Sequence, residues 1–273
     1  MCNRFQVGEL EVLVVSDGEI TFPAHAYFPA SSEELWKAHD RWRNHDGTLT
    51  FPYSCFLVRS GDRRILIDTG VGPVVTGIFK GGELLGKLAA SGVRPEDIDA
   101  VFVTHLHLDH CGTAAIEQDG AMRPTFPNAT YHWTSTEEAH WSAQPPNPTT
   151  RHDIFDAVRP CLETKEHGET IAPGVSVVAL PGHTPGQAGI MLSSGEARAF
   201  ILGDAIACPV QLEEPEWSGL GDFDPKLARA TQEAWAKEVE GSGALVGAAH
   251  FPGLAFGRVL RGEGRRYWQP IGG

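Results

Sequence analysis

Short apolar runs recur along the chain, and most of them end at a glycine, an aspartate or a histidine. Their shortness and their content of valine, isoleucine and aromatic residues predict β-strands. The predicted strands cover 10–16, 53–59, 64–68, 100–104, 130–134, 175–180, 187–193, 198–203 and 244–249. Several of these runs are apolar throughout rather than alternating, which is typical of strands buried on both faces of a sheet.

Segments with helical spacing of apolar residues lie between the predicted strands. One helix is predicted over 82–91, with Gly92 placed to end it, and another over 225–240, with Asp224 as its N-cap. A capping-box pattern that begins at Ser135 predicts a short third helix. Strands with helices between them, repeated twice along the chain, predict two β-sheets with helices outside.

The segment 22–51 departs from this pattern, since it is rich in aromatic residues but only weakly periodic. We interpret it as an insertion of helical character that lies over a pocket near the active site; packing of the segment onto the core is the alternative. No tandem repeat or low-complexity tract divides the chain of 273 residues. We therefore predict a single domain over 1–273.

The chain is acidic, with a formal net charge of −13. A surface of this sign repels phosphates and anionic lipids, so we expect neither a nucleic acid nor a membrane as a partner. The five cysteines are scattered without a CxxC pair, and the N-terminal stretch does not have the pattern of a signal peptide. We expect a cytoplasmic protein; the sequence leaves open whether it forms a homodimer.

The stretch VFVTHLHLDHCG, residues 101–112, concentrates three histidines and an aspartate within six positions. In an extended chain His105, His107 and Asp109 share one side, and a turn at Asp109 brings His110 round. Neutral imidazoles and a carboxylate near one point are the ligands that zinc, iron or manganese prefers. The pattern predicts a metal site where a buried strand opens into a loop, with Cys111 as a small packing residue.

Three further polar residues stand in the same relation to an apolar run. His183 lies in the turn of LPGHTPG, Asp204 in ILGDA and His250 in AAHFPG, each just after a predicted strand. Each could by itself be an ordinary turn residue or a buried partner. Their shared position after strands predicts that they meet the histidine motif.

The ordered set HLHLDH, GHTPG, GD and AHFPG resembles the metallo-β-lactamase-fold hydrolase superfamily, and the landmarks span from Asp68 in ILIDTG to His250. The resemblance implies an α/β (α+β) protein, a four-layer αββα sandwich with a dinuclear metal site at the edge of its two sheets. It implies that two divalent ions, preferentially zinc with iron, manganese or cobalt as alternatives, hold a bridging hydroxide that attacks the substrate.

The resemblance also implies a role for each matching residue. His105, His107 and His183 would bind one ion, Asp109, His110 and His250 the second, and Asp204 both. Asp109 and Asp204 would thereby be the carboxylates of the catalytic centre. Asp68 would orient a ligand, although a strand-end turn is an alternative reading of that residue.

Within the superfamily the spacing is similar to that of N-acyl-homoserine-lactone lactonases and methyl-parathion-hydrolase-like enzymes. This implies a lactone or related ester as substrate. Aromatic candidates for the wall of its pocket are Phe22, Tyr27, Phe28 and Phe251. One departure is Ala207, at a position where lactonases often have a tyrosine close to the substrate oxygen.

Three alternatives remain open at this stage. The same centre could hydrolyse phosphotriesters or thioesters. A mononuclear iron oxygenase of the persulfide-dioxygenase type could use some of the same histidines, although the intact second ligand set argues against it. A metal-binding module without activity is disfavoured because no ligand position is degraded.

Overall fold

The computed structural model describes residues 2–73, 80–145 and 151–271. The strands are β1 Cys2–Val7, β2 Leu10–Pro23, β3 Thr48–Ser60, β4 Arg63–Ile67, β5 Ala100–Phe102, β6 Ala115–Gln118, β7 Ala121–Pro124, β8 Thr130–His132, β9 Thr170–Ala172, β10 Val175–Ala179, β11 Ala188–Ser194, β12 Ala197–Ile201, β13 Leu245–Gly247, β14 Gly257–Gly262 and β15 Arg265–Pro270. The α-helices are α1 Ala24–Tyr27, α2 Glu33–Trp36, α3 Leu84–Ala90, α4 Leu108–Cys111, α5 Ser135–Ser142, α6 His152–Val158, α7 Val210–Glu213 and α8 Pro225–Val239. Turns of 3₁₀ helix lie at Lys37–Trp42, Pro95–Asp97, Arg159–Cys161 and Pro252–Leu254.

Two main sheets and a separate β6–β7 hairpin organise these strands. The first sheet has the order β1-β2-β3-β4-β5-β8, antiparallel from β1 to β4 and parallel from β4 to β8. The second has the order β15-β14-β13-β12-β11-β10-β9, with β12 and β13 parallel and the other neighbours antiparallel. Strands β10, β12 and β13 therefore run in one direction, so their carboxyl ends lie at one edge of the second sheet.

The two sheets face each other across a shared apolar core. Alternate residues of strand β2 face opposite sides of the first sheet. Val12 and Val14 enter this core, while Leu13 and Val15 face the helices outside it. The inner core also contains Phe56, Val58, Ile65, Ile67, Val177, Ile190, Leu192 and Ile201.

Helices cover both outer faces of this sandwich. On the first sheet, α3 contributes Leu84 and Leu88 and α6 contributes Ile154 and Phe155 to a second apolar cluster. On the second sheet, α8 packs its apolar stripe, including Trp235, against the outward residues of the strands. The four-layer αββα sandwich that the sequence predicts is confirmed.

The predicted strands and longer helices are all found, with shifted ends. Asp224 caps α8 by accepting hydrogen bonds from the backbone amides of Lys226 and Leu227. The capping-box assignment at Ser135 is wrong by one residue, because Thr134 is the N-cap of α5 and accepts a hydrogen bond from the amide of Glu137.

Six described strands fall outside the predicted ranges: β1, β14 and β15 near the termini, and β6, β7 and β9 within the chain. The N-terminal stretch is a β1–β2 hairpin that continues to Pro23, and the C-terminal strands β14 and β15 form another hairpin. Both carry alternating polar residues and form the outer edges of the sheets, which gives a weaker apolar signal than a buried strand does. Among the described residues, no helix combines the length and apolar character needed to cross a bilayer.

The aromatic segment 22–51 consists of the end of β2, the short helices α1 and α2, a 3₁₀ turn and the start of β3. Its large side chains form an apolar cluster in which Phe28 and Trp36 are fully buried against Trp217. The helical character predicted for this segment is therefore present, and the segment also packs onto the rest of the fold.

Candidate metal centre

The polar residues singled out in the sequence lie at the carboxyl ends of strands that share an edge of the sandwich. Asp68 follows β4, the histidine motif follows β5, and His183, Asp204 and His250 follow β10, β12 and β13. Hydrogen bonds within the sheet fix the end of each strand, so each of these loops begins at a defined position. The fold thereby brings together residues that are far apart in the chain.

Three histidines form the first group of possible ligands. Nδ1 of His107 lies 3.0 Å from Nε2 of His105 and 3.0 Å from Nε2 of His183. All three nitrogens lie within 4.8 Å of one another, which is close enough for one ion to contact them together.

Asp109, His110 and His250 form a second group by the same criterion. Oδ2 of Asp109 lies 3.8 Å from Nε2 of His110 and 3.5 Å from Nε2 of His250. This group and the three-histidine group have the membership that the resemblance implies for two ions.

Asp204 stands between the two groups. One carboxylate oxygen, Oδ1, lies 3.2 Å from Nε2 of His110. The other, Oδ2, lies 3.2 Å from Nε2 of His250 and 3.4 Å from Nε2 of His183. The carboxylate therefore reaches ligand atoms of both groups, as a bridging ligand must.

The local path of the motif differs from the predicted one. The chain is extended at His107, with φ −68° and ψ 150°, and then turns into the short helix α4. Asp109 and His110 are thus presented by a helical turn rather than by strand alternation. Cys111, at the end of this turn, is buried in the outer core of the first sheet, consistent with its predicted packing role.

Two atoms at the centre of the cluster test whether these residues fit a bound cation. Nε2 of His110 and Oδ1 of Asp204 are buried and make no well-aligned hydrogen bond with any described residue, although the two atoms lie 3.2 Å apart. Burying such atoms without a partner is costly, whereas a divalent cation would satisfy both. Imidazole nitrogens and carboxylate oxygens at these positions match the donor set of zinc, so the residues present fit the group.

The outward nitrogens of three of these imidazoles are held by oxygen acceptors. Nδ1 of His110 donates to Oδ2 of Asp68 at 2.8 Å, and Nδ1 of His183 donates to Oδ1 of Asp222 at 3.0 Å. Nδ1 of His250 donates to the carbonyl of Pro52 at 2.8 Å. These acceptors hold the proton on Nδ1, so that Nε2 is the nitrogen of each ring that would bind a cation.

Asp68 occupies a strained backbone position next to the site. Its φ is 60°, in the left-handed region that few residues other than glycine adopt. The carboxylate accepts hydrogen bonds from the amide of Thr104 at 2.8 Å and from its hydroxyl at 2.9 Å, besides that from His110. These bonds fix the carboxylate against β5 and hold the His110 ring, in the position that the family resemblance implies for a residue that orients a ligand.

The electrostatics of the cluster divide its histidines into two kinds. Burial lowers the pKa of His105 well below its ordinary value and that of His107 to about 3, so both rings are neutral. Burial opposes charge on His110 and His250 as well, but the Asp204 carboxylate and its acidic neighbours raise the pKa of both. Cations that bind here would compete with these protons for the same carboxylate.

Two supporting carboxylates were missed by the sequence analysis. Asp222 holds His183 but lies in a loop after no predicted strand, so the sequence carries no signal for it. Glu137 is fully buried and contacts both the histidine motif and the turn that holds His183. The helix pattern at 135–138 was recognised, but it does not indicate that one of its acidic residues faces inward.

A cavity of about 200 Å³ opens onto the candidate ligands. Its lining combines His107, Asp109, His183, Asp204 and His250 with an apolar wall of Ile20, Phe22, Tyr27, Phe51, Leu220 and Gly221. Two of the four aromatic residues expected in a pocket wall, Phe22 and Tyr27, are therefore found there.

Phe28 and Phe251 are not among the residues that line this cavity. Phe28 is fully buried behind the ring of Tyr27, with 4.8 Å between the ring centroids. Phe251 is fully buried against Trp268, at 4.9 Å. Both therefore belong to the apolar packing of the fold rather than to the cavity wall.

Comparison with known proteins places this arrangement among metal-dependent hydrolases. The sequence model of the metallo-beta-lactamase superfamily matches residues 49–250. The N-acyl homoserine lactonase of Bacillus cereus is 25% identical over 202 residues, which make up 66% of this chain and 73% of that protein.

Solved structures match over the whole chain. AidC, a dizinc quorum-quenching lactonase in complex with a product, has a TM-score of 0.89 at 24% identity and covers 100% of this chain and 98% of its own. The hydrolase AbOPH, of the beta lactamase superfamily, has a TM-score of 0.84 at 28% identity with the same coverage. At 24% identity, the similarity to AidC shows a shared fold and nothing further.

Proposed function

The chain belongs to the metallo-β-lactamase superfamily of hydrolases, and we propose that it is a dinuclear enzyme that opens lactones of the acyl-homoserine type or related esters. The observation that carries this proposal is Asp204, whose two oxygens face both groups of possible ligands at the mouth of an apolar cavity. A site for one ion, such as two histidines with one carboxylate, would engage only one of these two groups, whereas Asp204 faces both.

The residues divide into two ligand sets with one shared member. His105, His107 and His183 would hold one ion, Asp109, His110 and His250 the other, and Asp204 both. Two divalent ions held by these residues would supply Lewis-acid chemistry, making a bound water more acidic and polarising a substrate carbonyl. Asp68 and Asp222 hold the imidazoles of His110 and His183 so that Nε2 faces inward.

The shape of the cavity supports an ester with an apolar substituent. Phe22, Phe51, Ile20 and Leu220 form an apolar wall beside the ligand residues. Such a surface accommodates an acyl chain, since burying its methylene groups is favourable at about 0.8 kcal/mol each. The curated relatives named as N-acyl homoserine lactonases are consistent with this class of substrate.

The metal content tests the dinuclear part of the proposal. Protein purified without added metal and analysed by mass spectrometry of its metals is expected to contain close to two divalent ions per chain, mainly zinc. A single iron per chain, together with oxygen uptake on a persulfide, would instead favour the oxygenase.

A substrate panel tests the reaction. Hexanoyl-homoserine lactone, an aryl ester, an organophosphate triester and lactoylglutathione are compared by kcat/KM on the same metal-loaded protein. The lactone is expected to give the highest value. A clear preference for the triester or the thioester would replace the lactone in this proposal, and no turnover of any substrate by fully loaded protein would reject it.

A further inference from the structure

Tyr27 lies in the wall of the metal cavity, with its hydroxyl group unbonded to any residue that the structure describes. It belongs to α1, in the aromatic segment, and lines the same cavity as His107, Asp109, His183, Asp204 and His250. Its hydroxyl makes no hydrogen bond with any residue in the described ranges 2–73, 80–145 and 151–271. Tyr27 is also the one lining residue in those ranges, candidate ligands aside, whose side chain can form a hydrogen bond.

The ring of Tyr27 is held in place by other aromatic rings. Its centroid lies 4.5 Å from that of Phe51, 4.8 Å from that of Phe28 and 5.8 Å from that of Phe22. Phe28 in turn packs against Trp36 and Trp217. A ring fixed in this way presents its hydroxyl at a defined position, so a hydrogen bond to a ligand would cost little side-chain entropy.

Gly219, in the loop that supports His183, lies close to the hydroxyl group of Tyr27 and leaves space beside it. A Cβ atom at Gly219 would lie 3.2 Å from the hydroxyl oxygen of Tyr27. The amide of Gly219 donates to Oδ2 of Asp222, whose other oxygen accepts from His183. The phenol therefore lies against the same loop that holds a candidate ligand, at a position where that loop has a glycine.

The phenol is a donor under all ordinary conditions. Burial, with the carboxylates of Asp204, Asp222 and Asp109 adding to it, raises the pKa of Tyr27 well above its ordinary value. The hydroxyl keeps its proton at neutral pH. In the stretch after Asp204, Ala207 has a methyl side chain that cannot form a hydrogen bond.

We propose that Tyr27 contacts the substrate directly, donating a hydrogen bond from its hydroxyl to an oxygen of the bound lactone or ester. The inference rests on the proposed function and deepens it, because it assigns the orientation of the substrate to the aromatic segment rather than to the loop after Asp204. The hydroxyl approaches from the cavity wall, while the carbonyl faces the ligand residues.

Tyr27→Phe tests this assignment, since it removes the hydroxyl and leaves the ring. With hexanoyl-homoserine lactone as the probe, kcat/KM is expected to fall about 10- to 100-fold, the loss typical of a hydrogen bond to an oxygen that gains charge. A loss in kcat places the bond in the transition state, and a rise in KM places it already in the bound substrate; both support the contact. The metal content should remain that of the wild type.

Tyr53→Phe is the matched control. Tyr53 is a buried tyrosine beside His250, with 6.2 Å between ring centroids, but its hydroxyl is sealed from the cavity. Its removal should leave kcat/KM within about twofold of the wild type.

Three results would overturn the assignment: wild-type kcat/KM in Tyr27→Phe, an equal loss in Tyr53→Phe, or loss of bound metal in Tyr27→Phe. Metal-loaded wild-type protein that fails to open the lactone would reject the proposed function itself, which distinguishes the two failures.

Discussion

Glu137 accepts a hydrogen bond from the backbone amide of Leu106, at 2.9 Å, in the middle of the histidine motif. Its other carboxylate oxygen accepts from the hydroxyl of Thr184 at 2.7 Å and from the amide of Gly186 at 3.1 Å, in the turn that carries His183. One fully buried side chain thus joins the two loops that supply the three-histidine group.

We expect Glu137→Gln to destabilise the fold. The amide has the shape of the carboxylate, but its NH₂ group would face a donor where an oxygen now accepts. At least one buried donor then loses its partner, which costs about 1–3 kcal/mol. The free energy of unfolding in urea, measured on metal-free protein, tests this directly. Glu117→Gln, on the exposed face of β6, is the control and should change little; equal stability of both variants would contradict the role of Glu137.

Asp222→Asn is expected to weaken metal binding by about tenfold or more, the usual effect of altering a residue that orients a ligand. The amide is a weaker acceptor for the Nδ1 proton of His183, and its NH₂ group would face the amide of Gly219. Titration with a competing chelator measures the affinity. Asp62→Asn, on an exposed turn, serves as the control, and an unchanged chelator midpoint in Asp222→Asn would remove Asp222 from the site.

Asp204→Asn should lower kcat by several orders of magnitude with little change in fold. Because its carboxylate faces both ligand groups, its charge is lost to both. Asp109→Asn affects one group, so we expect it to lose about one ion per chain while Asp204→Asn binds both ions more weakly. Metal analysis and circular dichroism on the two variants test this contrast. An unchanged rate in Asp204→Asn would exclude a bridging role.

Removal of metal is expected to lower the melting temperature. The candidate ligands come from loops after β5, β10, β12 and β13, so bound ions would connect segments that the core alone does not join at this edge. Each ion present at 100 times its dissociation constant would contribute about 2.7 kcal/mol, or roughly 5–10 °C for a chain of this size. Re-addition of zinc should restore the value, and the double variant His105→Ala with His110→Ala should respond to neither step. An unchanged melting temperature after complete removal would contradict this.

Apolar periodicity and strand-end polar residues were sufficient for the layered fold and for the candidate ligands. Buried strands such as β5 and β12 are apolar throughout, so their positions and the polar residue that ends each are visible in the sequence. His183, Asp204 and His250 could be grouped because they share this relation to a strand.

Residues that act through side-chain direction could not be identified in this way. Asp222 lies in an irregular loop, and Glu137 looks like any acidic residue in the first turn of a helix. Phe28 and Tyr27 are adjacent and both aromatic, yet Tyr27 faces the cavity and Phe28 the core. The periodicity of a four-residue helix is too short to separate them.

The sequence by itself determined which residue types are available at this centre and the order of strands that carries them, because burial imposes a pattern on each strand. Only the tertiary structure decided which atoms meet: the two oxygens of Asp204 between two groups of ligands, the acceptors behind three imidazoles and the position of Tyr27 in the cavity wall. These depend on how loops from separate strands approach one another, and distances of a few ångströms between such loops leave no periodic trace along the chain.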